Sequence, residues 1–145
     1  MTTSSNPDAT ASRGALRLRL ADPAAGRPLD GGWWPHSRQL LVELADLVDN
    51  FPPERGRIVR ATFSPPDWDD APNRVPISRG YVQVGSAPKD DTHVIVLRTS
   101  ERQELVLLVV PPDMSEAQGE AALQAAVSTG PRVPPVKVLA DAARL

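Results

Sequence analysis

Cysteine is absent from the 145 residues, which excludes disulfides, thiolate metal sites, cysteine nucleophiles and thiol redox chemistry together. Histidine occurs only at positions 36 and 93, so imidazole chemistry has just two addresses. Aromatic residues make up 4%, too few for a base-stacking surface. No charge sign dominates, since 16 basic residues face 18 acidic ones for a formal net charge of −2. Nothing in that balance draws the whole molecule toward nucleic acid or an anionic membrane. Long apolar runs are missing too. Leu105–Val110, the longest, ends at Pro111-Pro112, far short of the ~18–20 residues a spanning helix needs.

What is present suits one folded domain. The length falls within the usual ~100–200 residues, and 41% hydrophobic content can fill a core. Proline, at 16 residues, is about twice its ordinary ~5% usage and punctuates the chain. Arginine outnumbers lysine fourteen to two, a bias that reads as genome composition before recognition chemistry, because arginine-rich binding surfaces usually bring net positive charge.

Residues Met1–Ser12 carry no apolar periodicity and are expected to be disordered. They also lack the basic start and apolar centre of a secretory signal, so a cytoplasmic location is expected. Leu16-Arg17-Leu18-Arg19-Leu20 alternates at period two, the pattern of a half-buried strand with one wet face. Asp22–Gly32, rich in Gly and Pro, reads as a loop. Leu40, Leu41, Leu44, Leu47, Val48 and Phe51 then follow helical spacing, predicting a helix over Ser37–Asn50 with Ser37 as N-cap and Pro52-Pro53 as stop.

Strands are predicted at Arg57–Phe63, Arg74–Ser78, Tyr81–Gly85, Thr92–Thr99 and Gln103–Val110. The second and third form a hairpin, and Pro76 places the second at an edge. The last two are nearly continuous in aliphatic residues and are expected at the sheet centre. A second helix, capped by Asp113 or Ser115, runs to about Ser128 with a mostly alanine apolar side. Short connections imply antiparallel neighbours. The expected fold is therefore α+β, an antiparallel sheet of about five to six strands with two helices packed on one face. The expected division is a disordered tail over 1–13, a single domain over 14–130 and a Pro-rich tail over 131–145, whose Ala-rich end allows a last helical turn.

Three segments carry a resemblance: LDGGWWPHSR (Leu29–Arg38), RIVRATFSPPDWDDAP (Arg57–Pro72) and ELVLLVVPPD (Glu104–Asp113). Together they resemble a family of small uncharacterised actinobacterial proteins, a domain of unknown function with a GGWWP segment. The resemblance covers roughly Leu16 to Val127. It implies a cytoplasmic single domain and transfers no catalytic residue.

Catalytic chemistry finds little footing. Neither histidine has a sequence context that makes it a base beside a nucleophile, and no G-x-S-x-G segment exists. His93 shares an expected strand face with Ile95 and Leu97 and reads as a core or edge-facing histidine. The acids Asp67, Asp69 and Asp70, with Asp90 and Asp91, lack the Gly and terminal Glu of an EF-hand loop. They read as solvated turn acids that cap local backbone, so no metal and no cofactor is expected. Gly80 and Gly85 flank a strand-like stretch without the lysine of a phosphate loop.

The tryptophans are the best remaining clue. Trp33, Trp34 and Trp68 all lie in or beside predicted loops, where an indole either anchors the loop or lines a recognition site. Trp34, just before Pro35, is expected as the buried anchor and Trp33 as the more exposed ring. The candidate binding site is Trp33, His36, Arg38, Asp67 and Trp68. The sequence thus favours a non-catalytic interaction or ligand-binding domain, with a protein as one partner class and no membrane. One alternative is a small enzyme using His36 with the Asp67–Asp70 loop. Another is weak nucleic-acid binding through an Arg17/Arg19 face, which the missing basic footprint disfavours.

Overall fold

The computed structural model describes residues 15–21, 29–86, 93–128 and 134–144. The expected disordered segment, residues 22–28 of the predicted Asp22–Gly32 loop, and Asp90 and Asp91 lie outside them. The described chain forms β1 (Leu18–Leu20), β2 (Gly31–Trp33), α1 (Leu40–Asp49), β3 (Ile58–Phe63), β4 (Arg74–Ile77), β5 (Gly80–Ser86), β6 (Val94–Thr99), β7 (Glu104–Val109), α2 (Glu116–Ser128) and α3 (Pro135–Ala142). This is an α+β fold with one sheet in the order β1-β2-β7-β6-β3-β5-β4.

The expected antiparallel sheet of five or six strands is corrected to a mixed sheet of seven. The β2–β7 and β3–β5 pairs are parallel and the other four antiparallel. Short loops report only on consecutive strands. Both parallel pairs join strands separated in sequence, where no loop length speaks. The expected features that rested on local signals hold. The β4–β5 hairpin forms, β4 with Pro76 is an edge, and β6 and β7 are interior strands.

The helices also differ from expectation: they cover opposite faces. Leu40, Leu44 and Leu47 of α1 share one core with Trp33, Ile58, Ile95, Leu97 and Leu107. Ala122, Leu123 and Ala126 of α2 share a second core with Trp34, Leu108, Val110 and, from α3, Val138 and Leu139. Leu107 and Leu108 therefore belong to different cores, as the period of two in a strand requires. A strand such as β7, apolar on both faces, signals this double cover. The third helix, α3, falls within the stretch expected as a Pro-rich tail, and it docks on α2.

The predicted Gly-rich loop ends inside β2, which Gly31 and Gly32 open and Trp33 closes. Gly31 and Gly32 read locally as turn formers, but here they permit close approach. A Cβ on Gly32 would lie 3.0 Å from the Ala126 Cβ and 3.1 Å from Leu123 Cδ2, so α2 can sit this near only over glycine. Asp30 clamps the strand, donating its N–H to the Val106 carbonyl (2.7 Å) and accepting the Val106 N–H on its carboxylate (2.8 Å). The wet face expected for the first strand is partly covered. Arg17 lies 3.7 Å over the Trp34 ring and donates to the carbonyls of Trp34 and Pro35, each at 3.0 Å. Arg19 bonds Glu120 and Gln124 of α2.

Candidate functional site

The entry to α1 organises the site. The helix begins at Leu40, three residues after the expected Ser37 cap, because the cap comes from another loop. Asp70 accepts the N–H of Leu40 at 2.5 Å and of Leu41 at 3.0 Å, which satisfies two of the orphan donors of the first turn. Ser37 instead donates its hydroxyl to buried Glu43 at 2.7 Å, and Glu43 also accepts the His36 N–H at 3.0 Å. These bonds lock the His36–Arg38 turn to the helix. At the other end of the chain, Ser115 and Gln118 exchange side-chain-to-backbone bonds of 3.2 and 3.1 Å, so Ser115 caps α2.

With Asp70 on α1, the Ser64–Asp70 loop lies beside Arg38. The Asp69 N–H donates to the Arg38 carbonyl (2.8 Å), and the Arg38 guanidinium donates to the Asp67 carbonyl (3.3 Å) and to the Asp113 carboxylate (3.4 Å). Trp68 is carried inward to Trp33, their ring centroids 5.5 Å apart and tilted by 34°. The Trp68 indole Nε1 is buried with no hydrogen-bond partner among the described residues.

Asp67 is not the solvated turn acid that the sequence suggested. It is buried, and its two carboxylate oxygens both engage His93. Oδ1 lies 3.2 Å from the imidazole Nδ1, and Oδ2 accepts the His93 backbone N–H at 2.7 Å. That grip holds His93 at φ 66°, the left-handed region that a non-glycine residue occupies only when its surroundings impose it. His93 thus precedes β6 instead of sharing a strand face with Ile95, and its side chain stays one-third exposed. The ionised carboxylate makes Nδ1 the donor and leaves Nε2 as the acceptor or base.

The structure brings Trp33, Arg38, Asp67 and Trp68 together and adds His93, for which the sequence predicts a core or edge-facing place. The polar run ahead of His93, Lys89-Asp90-Asp91-Thr92, was a signal that this histidine opens a strand. His36 does not join them. Its Nε2 lies 2.9 Å from the Ala15 carbonyl, beside β1. Two clefts lined by described residues, of about 400 Å³ and 160 Å³, do not include these side chains in their walls. Among the described residues no group of three or more His, Cys, Asp or Glu could hold a metal ion, and no helix is long and apolar enough to cross a membrane.

The region holding this arrangement, residues 17–126, matches the model of a family described as a family of unknown function (DUF5994). The chain belongs to that family. No curated protein and no solved structure shows significant similarity to it. The DUF5994 match runs from the start of β1 into the last turn of α2 and leaves α3 outside. Every residue of the Trp33–His93 cluster is therefore within the family region.

Burial, the largest influence, pushes the Asp67 carboxyl above the usual carboxylate range, against the opposing pull of His93 and Arg38. The folded protein then keeps this proton to higher pH than the unfolded chain does. Its contribution to stability is full below the ordinary carboxylate pKa of ~3.9 and is lost as pH rises through the raised value. Asp67→Asn removes this titration. The stability of the parent relative to Asp67→Asn should therefore decline between strongly acid and neutral pH, as measured by chemical unfolding across that range. An advantage for the parent that grows toward neutral pH would contradict it.

Proposed function

We propose that this chain is a non-catalytic binding domain whose recognition surface is the exposed edge of His93, flanked by Arg38 and the Asp67-Trp68 loop. The observation that carries the reading is the double grip of a buried carboxylate on a histidine in left-handed backbone. Such an arrangement costs burial of a charge and a strained φ, and it leaves the second imidazole nitrogen unclaimed by Asp67 on a side chain that stays one-third exposed. Trp33 and Trp68, in tilted ring contact, serve as the floor of the loop, in place of the exposed Trp33 ring that the sequence suggested. A nucleic-acid role has less support, because the guanidiniums of Arg17 and Arg19 are engaged within the protein.

The test is retention of binders from native lysate on immobilised protein, comparing the parent with His93→Ala and His36→Ala, all checked for equal Tm. Binding that is lost in His93→Ala and kept in His36→Ala supports the proposal. A binder retained equally by His93→Ala overturns it.

A second reading, a small enzyme, draws on the same Asp67–His93 pairing, since a carboxylate on Nδ1 is how an imidazole base is oriented. It replaces the His36-based alternative, whose ring is held at Ala15. Turnover of activated esters that vanishes in His93→Ala would favour it over simple binding.

A further inference from the structure

A second site lies at the far end of α1. The chain leaves the helix through Phe51, makes a 3₁₀ turn at Pro53–Arg55 and re-enters the sheet at Ile58. Across from it, β4 ends at Ile77 and turns through Ser78-Arg79 into β5. The parallel β3–β5 pairing starts only at Arg60↔Gln83, three residues beyond Arg57 and Gly80. The sheet is therefore split at this end, and the split opens a cleft of about 400 Å³. That volume lies within the ~300–1,000 Å³ of ordinary small-molecule sites.

The lining has two parts. Val48, Phe51, Ile58 and Ile77 supply an apolar wall, two of them, Phe51 and Ile58, belonging to the buried core. Arg57 and Arg79 supply cationic groups. Arg57 reaches across the split to donate to the Arg79 carbonyl at 3.3 Å, and neither guanidinium forms an ion pair among the described residues. The one acid among the described residues lining the cleft, Asp49, is occupied as the acceptor of the Ser78 N–H at 3.0 Å. The C-terminal end of α1 adds about half a negative charge, so two arginines against Asp49 and that partial charge leave the cleft net positive. An anion with an apolar body satisfies both halves of this lining at once. Guanidinium forks match carboxylate geometry in particular.

We propose that the cleft between the end of α1, the start of β3 and the β4–β5 turn binds a small amphipathic monocarboxylate, its carboxylate on Arg57 and Arg79 and its apolar body against Phe51, Ile58 and Ile77. This site is separate from the His93 surface and does not rest on that reading.

The experiment is NMR titration of the ¹⁵N-labelled chain with 2-naphthoate and with octanoate, using 2-naphthamide as the uncharged control. The expected result is saturable shifts centred on the amides of Ile58, Ile77, Ser78 and Arg79. Binding of the better carboxylate should be at least about tenfold tighter than that of the amide. Arg57→Gln/Arg79→Gln should weaken it by about tenfold or more at unchanged Tm, while His93→Ala leaves it unaltered. The proposal is overturned if neither carboxylate gives saturable shifts at these amides, if 2-naphthamide binds equally well, or if the double variant binds as the parent does.

Discussion

Trp33→Ala is expected to destabilise the protein by about 3–5 kcal/mol, as much as Trp34→Ala. The two rings are neighbours in sequence, 1% and 3% exposed, and they fill different cores. Trp33 sits in β2 with its side chain on the α1 face against Trp68. Trp34 points to the α2 face, donates its indole N–H to the Pro111 carbonyl at 3.0 Å and lies on Gly119, where a Cβ would collide with its ring. Removing either leaves a cavity that rigid neighbours on a central sheet cannot collapse into. Urea unfolding of the two variants beside the parent decides the matter. A cost for Trp33→Ala below about 1 kcal/mol, typical of surface changes, would show that β2 is not sandwiched.

The second large effect concerns α1. Leu44→Ala should cost about 2–5 kcal/mol, because Leu44 is fully buried at the middle of the helix, between Leu40 and Leu47. Val42 lies on the opposite, exposed side of the same helix, and Val42→Ala should stay within about 0.5 kcal/mol. The same unfolding experiment reads both. Similar costs at the two positions would mean that the helix is rotated from the orientation described.

The contrast between Trp33 and Leu44 shows what was legible in the sequence. Leu44 belongs to a stripe at helical spacing, and such a stripe names its own buried face. The β4–β5 hairpin and the aliphatic β6 and β7 were legible for the same local reason. Trp33 was misjudged because a single covered face was assumed, in which case consecutive residues cannot both turn inward. With helices on both faces they can. β2 itself was hidden by Gly31-Gly32: Gly31 lies against the backbone of β1, and the meaning of Gly32 as a close approach to α2 depends on a helix about ninety residues away in sequence. Helix α3 was hidden by the prolines before it, although Pro135 occupies its first turn, where proline is well suited.

The candidate site was legible in its residue types more than in its partners. Arg38, Asp67 and Trp68 stood out as a charged and aromatic set flanking loops, and they do converge. His36 lies apart from them. His36 is nearer to Arg38 in sequence, but the α1 entry turns it toward Ala15, whereas Asp67 finds His93 across 26 residues. Likewise, Asp70 proved to be a helix cap supplied from another segment, which no spacing rule within α1 could reveal.

The most direct test of the account is the tautomer of His93, read from ¹⁵N NMR of its imidazole above the pH at which the ring loses its charge. If Asp67 holds and presents this side chain, the proton resides on Nδ1 and Nε2 is bare, and Asp67→Asn disturbs that state while Asp69→Asn does not. A ring protonated on Nε2 in the parent, or one indifferent to Asp67→Asn, would contradict the claim that the buried carboxylate orients His93 for recognition.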